Sequence, residues 1–94
     1  MATAYVSMGK AGIAGGIPVF AGNVKSESVT TSGTAASGLL IAPTDDTVAK
    51  INCATAVYAT GNGTASASNG LRCEAGESNY VGVPKGGTVS IIDA

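Results

Sequence analysis

Few residues in this chain are of the types that do covalent chemistry, and their spacing decides what each can contribute. Ser7 and Lys10 stand in the S-x-x-K order of serine β-lactamases, where a lysine assists a nucleophilic serine. The companion motifs are missing, because Lys85-Gly86-Gly87 is not K-T-G, and 94 residues are too few for that fold. The chain contains no histidine, which removes the commonest general base and the commonest metal ligand. Gly9, Gly12 and Gly15 recur without completing a dinucleotide fingerprint or a phosphate loop. Asp45 and Asp46 are neighbouring carboxylates in a turn, where they point apart and fall short of the ligand number calcium needs. The residues therefore predict no catalytic group, no metal and no cofactor, and a chain that is not an enzyme.

Two cysteines, Cys53 and Cys73, leave two states open. A bridge would close a loop of about 20 residues, worth about 3 kcal/mol in the chain-entropy model. Free thiols would act as small buried hydrophobes, the state expected of a chain without an export signal. Asn62-Gly63-Thr64 matches a glycosylation sequon but reads as an ordinary turn on the same grounds. Arg72, Glu74 and Glu77 surround Cys73 and predict exposed cross-strand ion pairs, worth about 0 to 1 kcal/mol.

The elements that would position these residues follow from composition. Ala, Gly, Thr and Ser fill 49 of the 94 positions, whereas Val, Ile and Leu fill only 18, so one domain with a thin core is expected. Charged residues are 12% of the chain and mean hydropathy is positive, +0.31, which is not the composition of a disordered chain. Five basic residues and a net charge of −1 exclude a nucleic-acid footprint. No apolar run reaches the ~20 residues of a membrane helix. The first ten residues lack a basic then apolar leader pattern, which points to synthesis in a cytoplasm.

Short runs rich in Val, Ile, Thr and Tyr alternate with Gly, Asn, Ser, Asp and Pro about every ten residues, the spacing of an all-β sandwich or jelly-roll-like barrel. Strands are predicted at 2–7, 17–21, 25–31, 38–41, 47–52, 55–59, 71–74, 79–83 and 88–92. Turns are expected at Asn62-Gly63, Asn69-Gly70 and Pro43-Thr44-Asp45-Asp46. Side chains two apart share a strand face, so the predicted core comprises Ala49, Ile51 and Cys53, with Leu71 and Cys73, Val81 and Val83, and Val89 and Ile91. Residues 25–31, with only Val29 apolar, have the composition of a polar edge strand, and 32–37 that of a loop, solvated or covered by a partner.

Residues 11–22 are apolar, glycine-rich and uncharged. They suit either an irregular loop over the sandwich or an amino-terminal arm, within 1–22, that docks Ile13, Ile17, Val19 and Phe20 on another subunit. The candidate interface adds Tyr5 and Val6, because strand 2–6 could extend a neighbour's sheet.

Three stretches, Thr47-Val-Ala-Lys-Ile51, Gly61-Asn-Gly-Thr-Ala-Ser-Ala-Ser68 and Leu71-Arg-Cys-Glu-Ala-Gly-Glu-Ser-Asn-Tyr-Val-Gly-Val-Pro-Lys-Gly-Gly87, carry a resemblance, together with the opening Ala2-Thr-Ala-Tyr-Val6. The chain resembles small head decoration, or cement, proteins of tailed bacteriophages. The resemblance implies a small β-sandwich, a place on the outer surface of the virion head, and the major capsid protein as partner. Nothing between Ala11 and Ser37 matches, so no individual contact residue is carried over. A thin core makes a homo-oligomer plausible, and a trimer suits three-fold capsid junctions better than a monomer. The second reading is an adhesive, carbohydrate-binding module of a head fibre or tail, which would need exposed aromatics from among Tyr5, Phe20, Tyr58 and Tyr80. A solenoid is disfavoured because no repeat period is present.

Overall fold

A computed structural model describes the backbone of residues 2–14, 17–20 and 24–94, and the side-chain surroundings of 3–10 and 24–94. Nine strands follow one another: β1 (Ala2–Ala14), β2 (Ile17–Phe20), β3 (Lys25–Thr31), β4 (Ala36–Ser37), β5 (Thr47–Cys53), β6 (Val57–Thr60), β7 (Leu71–Cys73), β8 (Ser78–Val83) and β9 (Ser90–Asp93). Among the described residues there is no helix, so none is long and apolar enough to cross a membrane. All pairings are antiparallel and form two sheets, one built on β3, β1, β5 and β8 with β2 beside β1, the other ordered β4-β9-β6-β7. The chain is a small antiparallel β-sandwich, as its turn spacing and alternation predict.

β1 is the organising strand. Its residues Ala2 to Met8 pair with β3 while Ala4 to Lys10 pair with β5, so its ladder is occupied on both sides. Beyond Lys10 the strand continues, and Ala11 to Ala14 pair with Phe20 to Ile17 of β2. An irregular loop is thereby replaced by a β-hairpin running past the ends of β3 and β5. Gly9 and Gly12 are tolerated within β1 because their ladder partners, Val48 and Val19, hold the backbone extended despite the low strand propensity of glycine. The side chains of Ile13, Ile17, Val19 and Phe20 lie outside the described ones, as does Ala21.

The two inner faces meet over small side chains. Ala4, Val6 and Met8 of β1, Val29 of β3, and Ala49, Ile51 and Cys53 of β5 cluster with Val57, Ala59, Cys73 and Ile91 of the second sheet and with Val89, which immediately precedes β9. Burial alternates strictly along β5, which is the pattern of a strand with one face inside. Val83 is buried as expected and Val81 packs partly against the cluster. Leu71 departs from expectation. It shares the face of Cys73 yet is 46% exposed, because β7 is the outermost strand of its sheet and has a neighbour, β6, on one side only.

The stretch 38–41 is not a strand. β4 is confined to Ala36–Ser37, where it pairs with β9, and the chain then leaves the ladder. The turn expected at Pro43-Thr44-Asp45-Asp46 forms one residue later, closed by the Thr47 hydroxyl donating to the Thr44 carbonyl at 2.8 Å. Gly63 takes a positive φ of 94°, which a side chain would strain, as its place in an Asn-Gly turn predicts.

Deleting atoms from so thin a core leaves a cavity that small neighbours cannot fill. Ile51→Ala should lower the unfolding free energy by about 2–5 kcal/mol, whereas Ile41→Ala, at an exposed site, should change it by less than about 0.5 kcal/mol. Urea denaturation followed by far-ultraviolet circular dichroism distinguishes the two.

Candidate functional site

The residues of chemically capable type are kept apart by the strands and turns that carry them. Ser7 and Lys10 are three apart on β1 and so fall on opposite faces, whereas a helix would bring that spacing together. Ser7 Oγ instead lies 2.9 Å from Ser26 Oγ on the outer face, and Lys10 Nζ is 4.0 Å from Asp46. The two turn carboxylates also diverge. Asp45 accepts the Lys85 backbone N–H at 2.9 Å, and Asp46 accepts the Thr44 hydroxyl, which with Lys10 holds its pKa below the ordinary value. Arg72 bonds Glu74 within its own segment at 2.7 Å rather than across strands, and its guanidinium stands 5.7 Å from the Tyr58 ring. Among the described residues, no three of His, Cys, Asp and Glu are grouped to hold a metal ion.

Cys53 and Cys73 are free and buried between the sheets. The Cys53 thiol donates weakly to the carbonyls of Cys73 and Glu74 at 3.6 and 3.5 Å. Burial raises both thiol pKa values, that of Cys73 to about 11 with a further push from Cys53. Such thiols are poor nucleophiles and poor metal ligands at neutral pH.

What the fold does assemble is an apolar groove at one end of the sandwich, about 490 Å³ in volume. One wall is the end of the larger sheet. Met8 forms its floor, Lys25 is the cross-strand partner of Met8, and Lys10 lies two residues further along the same face. The other wall is the loop 38–44, contributing Leu39, Leu40, Ile41, Pro43 and Thr44.

That loop is held rigidly by a carboxylate. Glu27 Oε1 accepts the Leu39 N–H at 2.7 Å and Oε2 accepts the Leu40 N–H at 2.9 Å. Those donors are thus unavailable to a strand ladder, which is the physical reason why 38–41 is irregular. Gly38 makes the approach possible, since a Cβ there would lie 2.6 Å from Glu27 Oε2. Both ends are fastened as well, by Gly38 N–H to the Val89 carbonyl at 2.8 Å and Ala42 N–H to the Gly87 carbonyl at 3.0 Å. Leu40 consequently packs on the core while Leu39 and Ile41 stand 89% and 65% exposed. Sequence reading missed this arrangement; the one local signal was three bulky apolar residues between Gly38 and Pro43.

The candidate interface residues separate. Val6 is completely buried in the core, so it offers no side chain to a neighbour, and from Ala4 to Met8 its strand is paired on both edges. Tyr5, next to it, is 61% exposed on the outer face. That face also carries Tyr80, half-exposed on β8, with Ser26, Ser28, Lys50 and Asn52 at neighbouring ladder positions. Comparison with protein-family models, with curated proteins and with solved structures gives no match to this chain.

Four measurements test these contacts. Glu27→Ala should cost about 1–3 kcal/mol, the range for hydrogen bonds to a charged group. It should also speed hydrogen exchange at the Leu39 and Leu40 amides while those of β6 stay protected. The thiols bind their protons more tightly in the fold than in the unfolded chain, so their contribution to stability is whole below the ordinary thiol value of 9.0 and is lost as pH rises towards 11. The urea midpoint should fall across that window, less steeply in Cys73→Ala. At pH 8, Ellman's reagent should modify the native protein on the order of a hundredfold more slowly than the urea-unfolded chain.

Proposed function

We propose that this chain is a structural virion protein, a decoration or cement protein that binds the outer surface of a phage head and stabilises contacts between major capsid protein subunits. The observation that carries the reading is the loop 38–42. Leu39 and Ile41 are held out into solvent by a dedicated carboxylate, and rigid exposed apolar surface suits a permanent partner rather than a solitary globule. The resemblance of 47–87 to cement proteins supplies the class of partner, and the absence of histidine together with the dispersed Ser7 and Lys10 fits a role without catalysis. The mechanism is adhesion by repetition: each copy spans neighbouring shell subunits, and modest individual contacts add over many sites to resist expansion of the shell. Self-association as a trimer, through the uncharged hairpin of β1 and β2, would compensate for the thin core and suit three-fold positions on the shell.

Tyr5 and Tyr80 favour the second reading, an adhesive carbohydrate-binding module. They share an outer face with small hydroxyl side chains, and aromatic rings beside hydrogen-bonding groups are what a sugar would stack on.

Sedimentation of the purified protein with shells of the major capsid protein decides between them. Saturable binding that raises the temperature of shell disruption is the expected result. Failure to bind shells, combined with retention on a glycan array that Tyr5→Ala and Tyr80→Ala abolish, would replace the decoration reading with the adhesive one.

A further inference from the structure

We propose that the groove between the end of the larger sheet and the loop 38–44 seats an extended segment of the capsid protein in which a bulky apolar residue is flanked by carboxylates. The inference rests on the decoration reading for the source of that segment, and on the groove itself for its chemistry. Met8, Leu39 and Leu40 present an apolar lining that Glu27 keeps in shape before any partner arrives, so little conformational freedom is lost on binding. Charge specifies the flanks. Of the five basic residues in a chain of net charge −1, two stand at this groove. Lys25 makes no ion pair among the described residues, and Lys10 has only Asp46, 4.0 Å away and half-exposed like itself. Glu27 sits behind the loop with both oxygens already engaged by the Leu39 and Leu40 amides. The Lys25 ammonium therefore remains to be matched by the occupant, while Lys10 is met by Asp46 at 4.0 Å, and removing apolar surface from water around Lys25 strengthens the match.

A second copy of this chain meets these requirements less well. The paired strands β1 and β2 carry no charged residue beyond Lys10, and filling the groove with them would cover two lysines without compensating them. An acidic, apolar strand satisfies the floor and the rim together.

The test is a nuclear magnetic resonance titration of the full chain with the synthetic peptide acetyl-Glu-Asp-Leu-Val-Asp-Glu-amide, beside a counterpart carrying lysine in place of each acidic residue. Saturable shifts centred on Met8, Leu39 and Leu40 with the acidic peptide, and none with the basic one, are expected. Binding should weaken by about tenfold or more in Lys10→Gln/Lys25→Gln and in Leu39→Ala, all exposed sites whose spectra report an intact fold. No shifts at millimolar peptide, equal response to both peptides, or the same shifts on concentrating the protein alone would each overturn the proposal, the last by assigning the groove to a second copy. Sedimentation of these variants with capsid shells separates the two readings. Wild-type protein that fails to sediment sinks the decoration reading, whereas variants that sediment as well as wild type sink the groove and leave decoration standing.

Discussion

Between the two sheets stand Ala4, Ala49, Ala59, Cys53 and Cys73, with Ile51 and Ile91 as the largest fully buried side chains. Filling that space to native density with such small groups requires the sheets to approach closely, and each buried residue contributes few apolar atoms. More of the cohesion must then come from the main-chain ladders. β1 answers this need by pairing with β3 on one edge and β5 on the other, so that a single strand ties the larger sheet together. Two of the polar groups that remain inside are used as fasteners. Ser90 Oγ accepts the Ala65 N–H at 2.9 Å and the Thr47 hydroxyl donates to the Thr44 carbonyl, anchoring two connections to the core.

A thin core also changes where the large side chains go. Leu39, Ile41 and Tyr5 are mostly exposed, so much of the chain's capacity for apolar burial is directed outward. An exposed leucine on a mobile loop would lose that capacity to disorder. Here Glu27, on a polar edge strand, spends both carboxylate oxygens on backbone amides twelve and thirteen residues away and keeps the loop in one conformation. Glu27 is thus structural, and the charged residues lining the groove are Lys10, which is paired with Asp46, and Lys25.

Much of the frame was legible in the order of residues, because alternation identifies which side chains share a strand face without reference to anything distant. Ala49, Ile51, Cys53, Val83, Val89 and Ile91 are core by that rule, 25–31 is an edge strand by its polarity, and Asn62-Gly63 is a turn by its backbone tolerance. The incompatibility of Ser7 and Lys10 with joint chemistry also follows locally once they lie on a strand, since an odd separation places them on opposite faces.

Other outcomes were decided by partners far away in sequence. Leu71 obeys its alternation and is still exposed, because whether a face is covered depends on where the strand falls in its sheet. Val6 is enclosed while Tyr5, between the same strands β3 and β5, is exposed, because the second sheet covers only the face that Val6 shares. Leu39 and Leu40 leave the ladder because a carboxylate from β3 claims their amides, and the groove exists because that loop then stands opposite Met8, Lys10 and Lys25. Periodicity, polarity and turn chemistry are properties of neighbours along the chain and determined the β-sandwich class. Coverage, hydrogen-bond competition and the meeting of lysines with an apolar wall are properties of neighbours in space, which only the tertiary structure brings together.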